Sequence, residues 1–280
     1  MRHRALIITA AILLPSTAHA ADNLTTDWSN TTNPFGPWSM REAFHLLPFV
    51  PSWQTTLGGW AEPQPGWAKS ANGLNRVPFF FQSNGAETFT HDWTAGQIVC
   101  RTWDSANGIG NGQAAATWTA SEQGVAFVSG AVWLGRDVGN SANWRISLNL
   151  AHRSGGSLTT GDPYSSSSPF NLALGDGGPN ALRGITVTPG DQLSLFLSPT
   201  SQTGPFVVID NLTVDFTPIP CFGDANNDGL VNFSDLNIVL SNYGQSGVGA
   251  AGDLNLDDVV NFTDLNLLLS NFGAPCPTPR

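Results

Sequence analysis

One 22-residue unit is written twice near the end of this 280-residue chain, as GDANNDGLVNFSDLNIVLSNYG over 223–244 and GDLNLDDVVNFTDLNLLLSNFG over 252–273. The copies are identical at 14 of 22 positions and begin 29 residues apart, so each is a supersecondary unit rather than a stretch of biased composition. Each reads as a loop followed by one helix. The apolar residues Leu236, Val239, Leu240 and Tyr243, and then Leu265, Leu268, Leu269 and Phe272, step as i, i+3, i+4, i+7, the stripe of an amphipathic helix. Ser234 and Thr263 stand where an N-cap is expected, with Phe233 and Phe262 placed to staple onto Ile238 and Leu267. Gly244 and Gly273 supply the stops.

The conserved positions of the repeat carry oxygen at alternate residues. In the first loop these are Asp224, Asn226 and Asp228, then Gly229, the carbonyl of Leu230, Asn232, and Asp235 closing from the first helical turn. This is the calcium-loop spacing, in which side chains at positions 1, 3 and 5, a backbone carbonyl at 7, position 9 and a carboxylate at 12 surround a hard cation. The second loop repeats it with Asp253, Asn255, Asp257, the carbonyl of Val259, Asn261 and Asp264. Loop position 6, which favours φ > 0 and therefore glycine, is Asp258 in this copy, at a cost of roughly 1 kcal/mol. Two Ca2+ sites are expected, the second weaker.

A helix before each loop would complete an EF-hand. Pro218, Ile219 and Pro220 precede the first loop and the glycine-rich 247–252 the second, and neither stretch forms a helix readily. A calcium loop followed by a single helix, present twice over 221–276, resembles a type I dockerin, the module that docks proteins onto cohesin domains. The resemblance implies a cohesin-type partner and points to Phe233, Ser234, Phe262 and Thr263 as its contacts. A calcium-stabilised surface module without such a partner is the alternative.

The start of the chain reads as a secretory leader: basic Arg2 to Arg4, an apolar run Ala5 to Leu14, and Ala18-His19-Ala20 as a cleavage site. A secreted or cell-surface protein is expected, with domains at 21–217 and 223–276 joined by 218–222. Removing Arg2 and Arg4 leaves nine basic against 21 acidic residues, a net charge of −12. With a single lysine, Lys69, and no basic cluster, nucleic acid and anionic membrane are poor partners, and no later stretch is apolar enough to insert into a bilayer. Cys221 and Cys276 flank the repeats. Paired homologous units usually bring their ends together about a pseudo-twofold axis, so a Cys221–Cys276 disulfide is expected, with Cys100 left as a buried thiol.

Residues 22–217 carry strand signals: short apolar or alternating runs at 77–82, 97–103, 114–119, 125–134, 143–151, 182–188, 192–198 and 206–216, punctuated by Gly, Asn, Pro and Ser. Eight or more such runs predict an antiparallel β-sandwich of jelly-roll type, followed by a small all-α module. Residues 161–169 read as a surface loop and Thr217 to Pro220 as a stiff spacer. Trp118 to Ala120, Val128 to Gly130 and Val207 to Leu212 give this domain a weak resemblance to exported carbohydrate-binding-like β-sandwich domains.

Ten tryptophans set against two tyrosines offer two readings. Trp38, Trp53, Trp60, Trp67, Trp93 and Trp103 could furnish a stacking platform for sugars, or they could be core and loop-anchoring residues, the commoner role of large aromatics in a sandwich. A glycosidase would need two facing carboxyl groups. Glu87 and Glu122 read as turn residues, Asp92 and Asp104 lack a motif, and the histidines have no ligand spacing, so no catalytic residue is assigned. The reading is a secreted, calcium-binding, dockerin-bearing protein that anchors a β-sandwich, potentially polysaccharide-binding, to a cohesin-type partner. A glycoside hydrolase and a surface structural or adhesion protein are the alternatives.

Overall fold

The computed structural model describes residues 21–53, 59–71, 76–103, 113–136, 139–200, 203–218, 222–226, 228, 230–247, 249–255 and 257–274. The leader, Asp104, Gly229, Cys221 and Cys276 lie outside these, and the expected disulfide with them.

The fold is an antiparallel two-sheet β-sandwich followed by two short helices. One sheet has nine strands. It contains β1 (Asp22–Asn23), β4 (Phe49–Trp53), β5 (Gln64–Ala68), β6 (Phe79–Gln82), β7 (Ile98–Arg101), β9 (Gly124–Leu134), β12 (Phe170–Asn171), β13 (Ile185–Val187) and β15 (Phe206–Pro218). The other, ordered β11-β10-β14-β8-β2-β3, contains β2 (Trp38–Glu42), β3 (His45–Leu46), β8 (Ala114–Thr119), β10 (Ala142–Leu148), β11 (Ala151–Leu158) and β14 (Gln192–Pro199). A one-turn helix, α1 (Leu24–Asp27), follows β1.

Alternation along the strands builds the core between the sheets. Trp144 and Ile146 of β10, Leu193, Leu195 and Leu197 of β14, Trp38 and Met40 of β2, and Val207, Ile209 and Val214 of β15 meet there, all nearly inaccessible to solvent. β8 spans the residues expected. β10 is shorter than the period-2 pattern suggested, because Asn149 and Leu150 both take φ > 0 (48° and 73°) and form a two-residue hairpin loop between Leu148 and Ala151. Positive φ at both central residues matches the twist of the flanking strands, so Leu150 ends at a turn, 52 % exposed, instead of on the core face.

The nine-stranded sheet is buried on both faces across β5, β6, β7 and the adjoining ends of β9 and β15, while Thr186, Thr213, Asp215 and Thr217 farther along it stay exposed or half-buried. Phe80 of β6 points into the inter-sheet core, whereas Phe79 and Phe81 point the other way into a second cluster with Val50, Trp53, Trp60, Trp93, Val99, Trp133, Phe206 and Val208. Trp53 stacks on Phe79 with centroids 4.0 Å apart. The covering segments are irregular and carry Trp60, Phe89 and Trp93. The loop at 161–169 also packs: Tyr164 stacks on Phe170 at 4.4 Å, and Asp92 accepts from the Ser166 amide at 2.7 Å. The spacer begins later than the proline pattern suggested, since Thr217 and Pro218 still pair with Val125 and Gly124.

The helices α2 (Phe233–Ser241) and α3 (Phe262–Ser270) fall on the two repeats. Their shared core is Val231, Val239, Val260 and Leu268. Only Val239 and Leu268 of the apolar stripes are fully buried, while Leu240, Tyr243 and Leu269 are about half exposed. Gly223 and Gly252, at φ 111° and 92°, allow close approach: a Cβ at Gly223 would lie 3.2 Å from Leu268 Cα, and one at Gly252 3.0 Å from Val239 Cα. Each loop thus packs on the helix of the other copy. Among the described residues no helix is long and apolar enough to cross a membrane.

Candidate metal centres and the faces of the sandwich

The loop chemistry begins with the helix caps. Asn232 and Asn261, not Ser234 and Thr263, are the N-caps. Asn232 Oδ1 accepts from the Ser234 amide at 2.7 Å, and Asp235 Oδ2 accepts from the Asn232 amide at 2.9 Å. Asn261, Thr263 and Asp264 repeat this at 2.7 and 2.8 Å. This is a capping box with Asp in the Glu role. The helix therefore starts at Phe233 and Phe262, which precludes their acting as staples. Both are solvent-facing, at 70 % and 61 % exposure, and Phe233 instead sits edge-on to Phe272 at 5.1 Å.

Asp235 and Asp264 are completely buried and do more than cap. Asp235 Oδ1 accepts from the amides of Ala225 and Asn226 at 2.8 and 3.1 Å, and Asp264 Oδ1 from Leu254 and Asn255 at the same distances. The closing carboxylate thus folds the loop's start back over the helix. Asp224 Oδ1 accepts from the Asp228 amide and Asp253 Oδ1 from the Asp257 amide, so position 1 organises position 5. Asn226 and Asn255 reach Asp228 and Asp257 through their side-chain amides at 2.9 Å.

This wiring brings one carboxylate oxygen from each of Asp224, Asp228 and Asp235 within 4.8 Å of one another, and does the same for Asp253, Asp257 and Asp264. The sequence from 219 to 279 contains no Lys, Arg or His, so the segment supplies no cation of its own. Two ionised carboxylates at that separation repel by about 3–4 kcal/mol at an effective dielectric of 20. The donors are all oxygen: three carboxylates, the carbonyls of Leu230 and Val259, and the side chains of Asn226, Asn232, Asn255 and Asn261. That set fits a hard divalent cation of the Ca2+ type. Asp258 has φ 66°, so the sixth loop position does adopt the left-handed conformation in which an L-residue is strained.

The tryptophan platform is not formed. Trp38, Trp53, Trp60, Trp67 and Trp93 are all under 10 % exposed, and Trp103 is half-buried against the second aromatic cluster. Several indole N–H groups pin loops: Trp53 Nε1 donates to the Arg76 carbonyl at 2.8 Å, Trp67 Nε1 to Ser29 at 3.0 Å and Trp38 Nε1 to Asp27 Oδ2 at 3.2 Å. The physical reason is burial in two layers: Trp38 and Trp67 belong to the inter-sheet core, whereas Trp53, Trp60 and Trp93 fill the second cluster on the other face of the nine-stranded sheet.

Of the carboxylates weighed for catalysis, Asp104 lies outside the described residues, and the others, like Glu42, sit in structural settings. Glu42 is buried and ion-paired with Lys69, Glu87 accepts from Ser83 Oγ at 2.7 Å, Glu122 is buried, and Asp92 anchors Ser166. Cys100 is buried and free, and burial pushes its thiol well above the usual range.

No family model matches the chain, and no curated protein matches it. Among solved structures it is similar to the CBM22-1 xylan-binding domain from Paenibacillus barcinonensis Xyn10C, with 12 % identity and a TM-score of 0.31, over 72 % of this chain and 99 % of that one. The xylan-binding module CBM15 gives 8 % identity and a TM-score of 0.28, over 61 % of this chain and 98 % of that one. The Clostridium thermocellum endo-1,4-beta-D-xylanase 10B CBM22-1-GH10 modules give 10 % and 0.26, over 75 % of this chain and 30 % of that one. At these identities and scores no ligand is transferred from them.

Proposed function

We propose that the protein is an exported two-part attachment protein, in which a dockerin-like module at 223–276 binds two Ca2+ ions and couples a polysaccharide-binding β-sandwich to a cohesin-type partner. The observation that carries this reading is the twofold convergence of three carboxylates in a segment without a basic residue. Asp224, Asn226, Asp228, Asn232 and Asp235 with the Leu230 carbonyl, and Asp253, Asn255, Asp257, Asn261 and Asp264 with the Val259 carbonyl, would hold the ions. Bound Ca2+ supplies charge neutralisation, and its binding energy becomes folding energy for α2 and α3.

The outward Phe233, Ser234, Phe262 and Thr263 at the two helix starts support a partner-facing role. They are exposed, and two large aromatics in solvent at equivalent places of a repeat contribute little to the module's own small core.

The test is calorimetric titration of the full chain with Ca2+, followed by far-ultraviolet circular dichroism in chelator and capture on an immobilised cohesin-type domain. Two equivalents bound, helix lost on chelation and calcium-dependent capture are the expected results. Absence of calcium binding would remove the reading. Calcium binding without capture would leave a calcium-stabilised surface module and remove the partner.

A further inference from the structure

The six-stranded sheet has an outer face built largely of polar side chains, with no aromatic cluster like the one that covers β5 to β7. Strand register fixes their arrangement. One cross-strand row runs Ser157, Asn143, Ser198; the next runs Gly155, Arg145, Phe196, Ala115, Arg41; a third runs Ser147, Ser194, Thr117, Ser39. In the middle row Arg145 and Arg41 stand three strands apart, roughly 14 Å.

Two clefts lie on this face. One, of about 380 Å³, is lined by Gln113, Asn143, Arg145, His152, Ser157 and Ser198 among others. The other, of about 330 Å³, is lined by Arg41, Phe44, Thr117, Asn149, Gln192 and Ser194 among others. Phe196 separates them. Its ring is 5 % exposed and lies beneath the guanidinium of Arg145, 4.9 Å from ring centroid to Cζ. Gly155, opposite Arg145 in the row, lines the first cleft and adds no side chain to it.

Arg145 is held in place without being satisfied. The ring fixes its guanidinium, yet its buried Nε has no hydrogen-bond partner among the described residues. Arg41 is braced through Nε to Ser39 Oγ at 2.8 Å and through one terminal nitrogen to the Phe44 carbonyl at 3.3 Å. Among the described residues that line the clefts the one carboxylate is Asp176, bonded to His152 at 2.9 Å. Around the arginines lie amides and hydroxyls suited to sugar hydroxyl groups, and the protein's acidic excess beyond about 10 Å is screened at 0.1 M salt.

We infer that the outer face of the six-stranded sheet binds an acidic polysaccharide laid across β11, β10, β14, β8 and β2, with Arg145 and Arg41 meeting its anionic groups. A uronate carboxylate and a sulfate ester share the chemistry a fork of guanidinium donors recognises. Asn143, Gln113 and Ser198 take sugar hydroxyls in the first cleft and Asn149 and Gln192 in the second. The inference rests on the reading of the sandwich as polysaccharide-binding and names the surface and the class of glycan.

The experiment is affinity electrophoresis of the full chain through gels containing polygalacturonate, a sulfated galactan or neutral xylan, in otherwise matched buffers. Retardation by one or both acidic polymers is expected, relieved by raised salt and weakened about tenfold or more in Arg145→Gln and Arg41→Gln. Which acidic polymer retards the chain identifies the anion. Thermal unfolding of each variant checks the fold, and Asn143→Ala together with the salt dependence of the unaltered protein reads the same surface without disturbing the Arg145 and Phe196 contact. Retardation by xylan alone, unchanged in Arg145→Gln, would overturn the inference and leave the polysaccharide-binding reading standing. Retardation by none of the three would overturn both.

Discussion

The amide of Gly273 donates to the carbonyl of Val231 over 2.8 Å, tying the end of α3 to the first loop. Gly244 and Val260 repeat the bond at 2.8 Å in the opposite sense. Each loop is thus completed by the other unit's helix end, as each helix is packed by the other unit's glycine. A chain stopped after Ala251 should consequently lose α2 as well as α3. Far-ultraviolet circular dichroism with saturating calcium checks this: the truncated chain should show only the sandwich signal, and a surviving helix would contradict the interdependence.

Asp258→Gly should strengthen the second calcium loop. Removing a strained left-handed L-residue releases about 1 kcal/mol, or about fivefold in affinity if the relief appears in the bound state. A calorimetric isotherm with two resolved affinities should show them drawing together. The Asp258 amide, which donates to Asp253 Oδ2 at 2.8 Å, is retained in the variant.

Trp53→Ala should destabilise the sandwich by about 3–5 kcal/mol, the usual range for emptying a large aromatic site. Trp53 is fully buried against Phe79, and its indole nitrogen holds the Arg76 carbonyl. Denaturant unfolding measures the loss, while calcium stoichiometry should stay unchanged. Glycan retention by the folded variant should also persist, because this tryptophan lies on the sealed side of the molecule.

Asp191 links stability to pH. The Asn149 side chain, donating at 2.6 Å, and the Thr188 amide, at 2.7 Å, hold its carboxyl below the usual carboxylate range. A folded-state value below the unfolded one of about 3.9 means that its contribution is present above that pH and is lost as pH falls through the folded value. The stability difference between the native chain and Asp191→Asn should therefore be constant near neutrality and shrink below about pH 4. Urea midpoints across that window test it, and a difference independent of pH would contradict the assignment.

Legibility in the sequence followed the range over which each feature is encoded. The two helices and the gathering of the loop carboxylates were readable because the acidic spacing and the apolar stripe are local, and β8 because its six residues form one short run between turns. The caps were displaced because Asn232 and Asn261 serve both as loop residues and as N-caps, and a hydroxyl two places later looked the better candidate. The end of β10 was missed because Leu150 continues an alternation that the backbone abandons at Asn149. The aromatic platform was misplaced for a different reason. Phe79 to Phe81 show that both sides of β6 are apolar, but nothing in that run says that Trp60 and Trp93, from distant loops, complete the second layer. The polar clefts were invisible, since Arg145, Phe196 and Arg41 come from three strands and share no local pattern.

The aromatic layer over β5, β6 and β7 makes the sandwich an asymmetric object, with packed rings on one outer surface and polar clefts on the other. Sequence drift is then free in only one direction. Side chains such as Gln113, Asn143 and Ser198 can be exchanged without opening a hydrophobic seam, whereas Phe79, Phe81 and Val99 on the opposite sheet are fixed by the rings around them. A lineage of such chains would diversify in what it grips long before it diversified in shape.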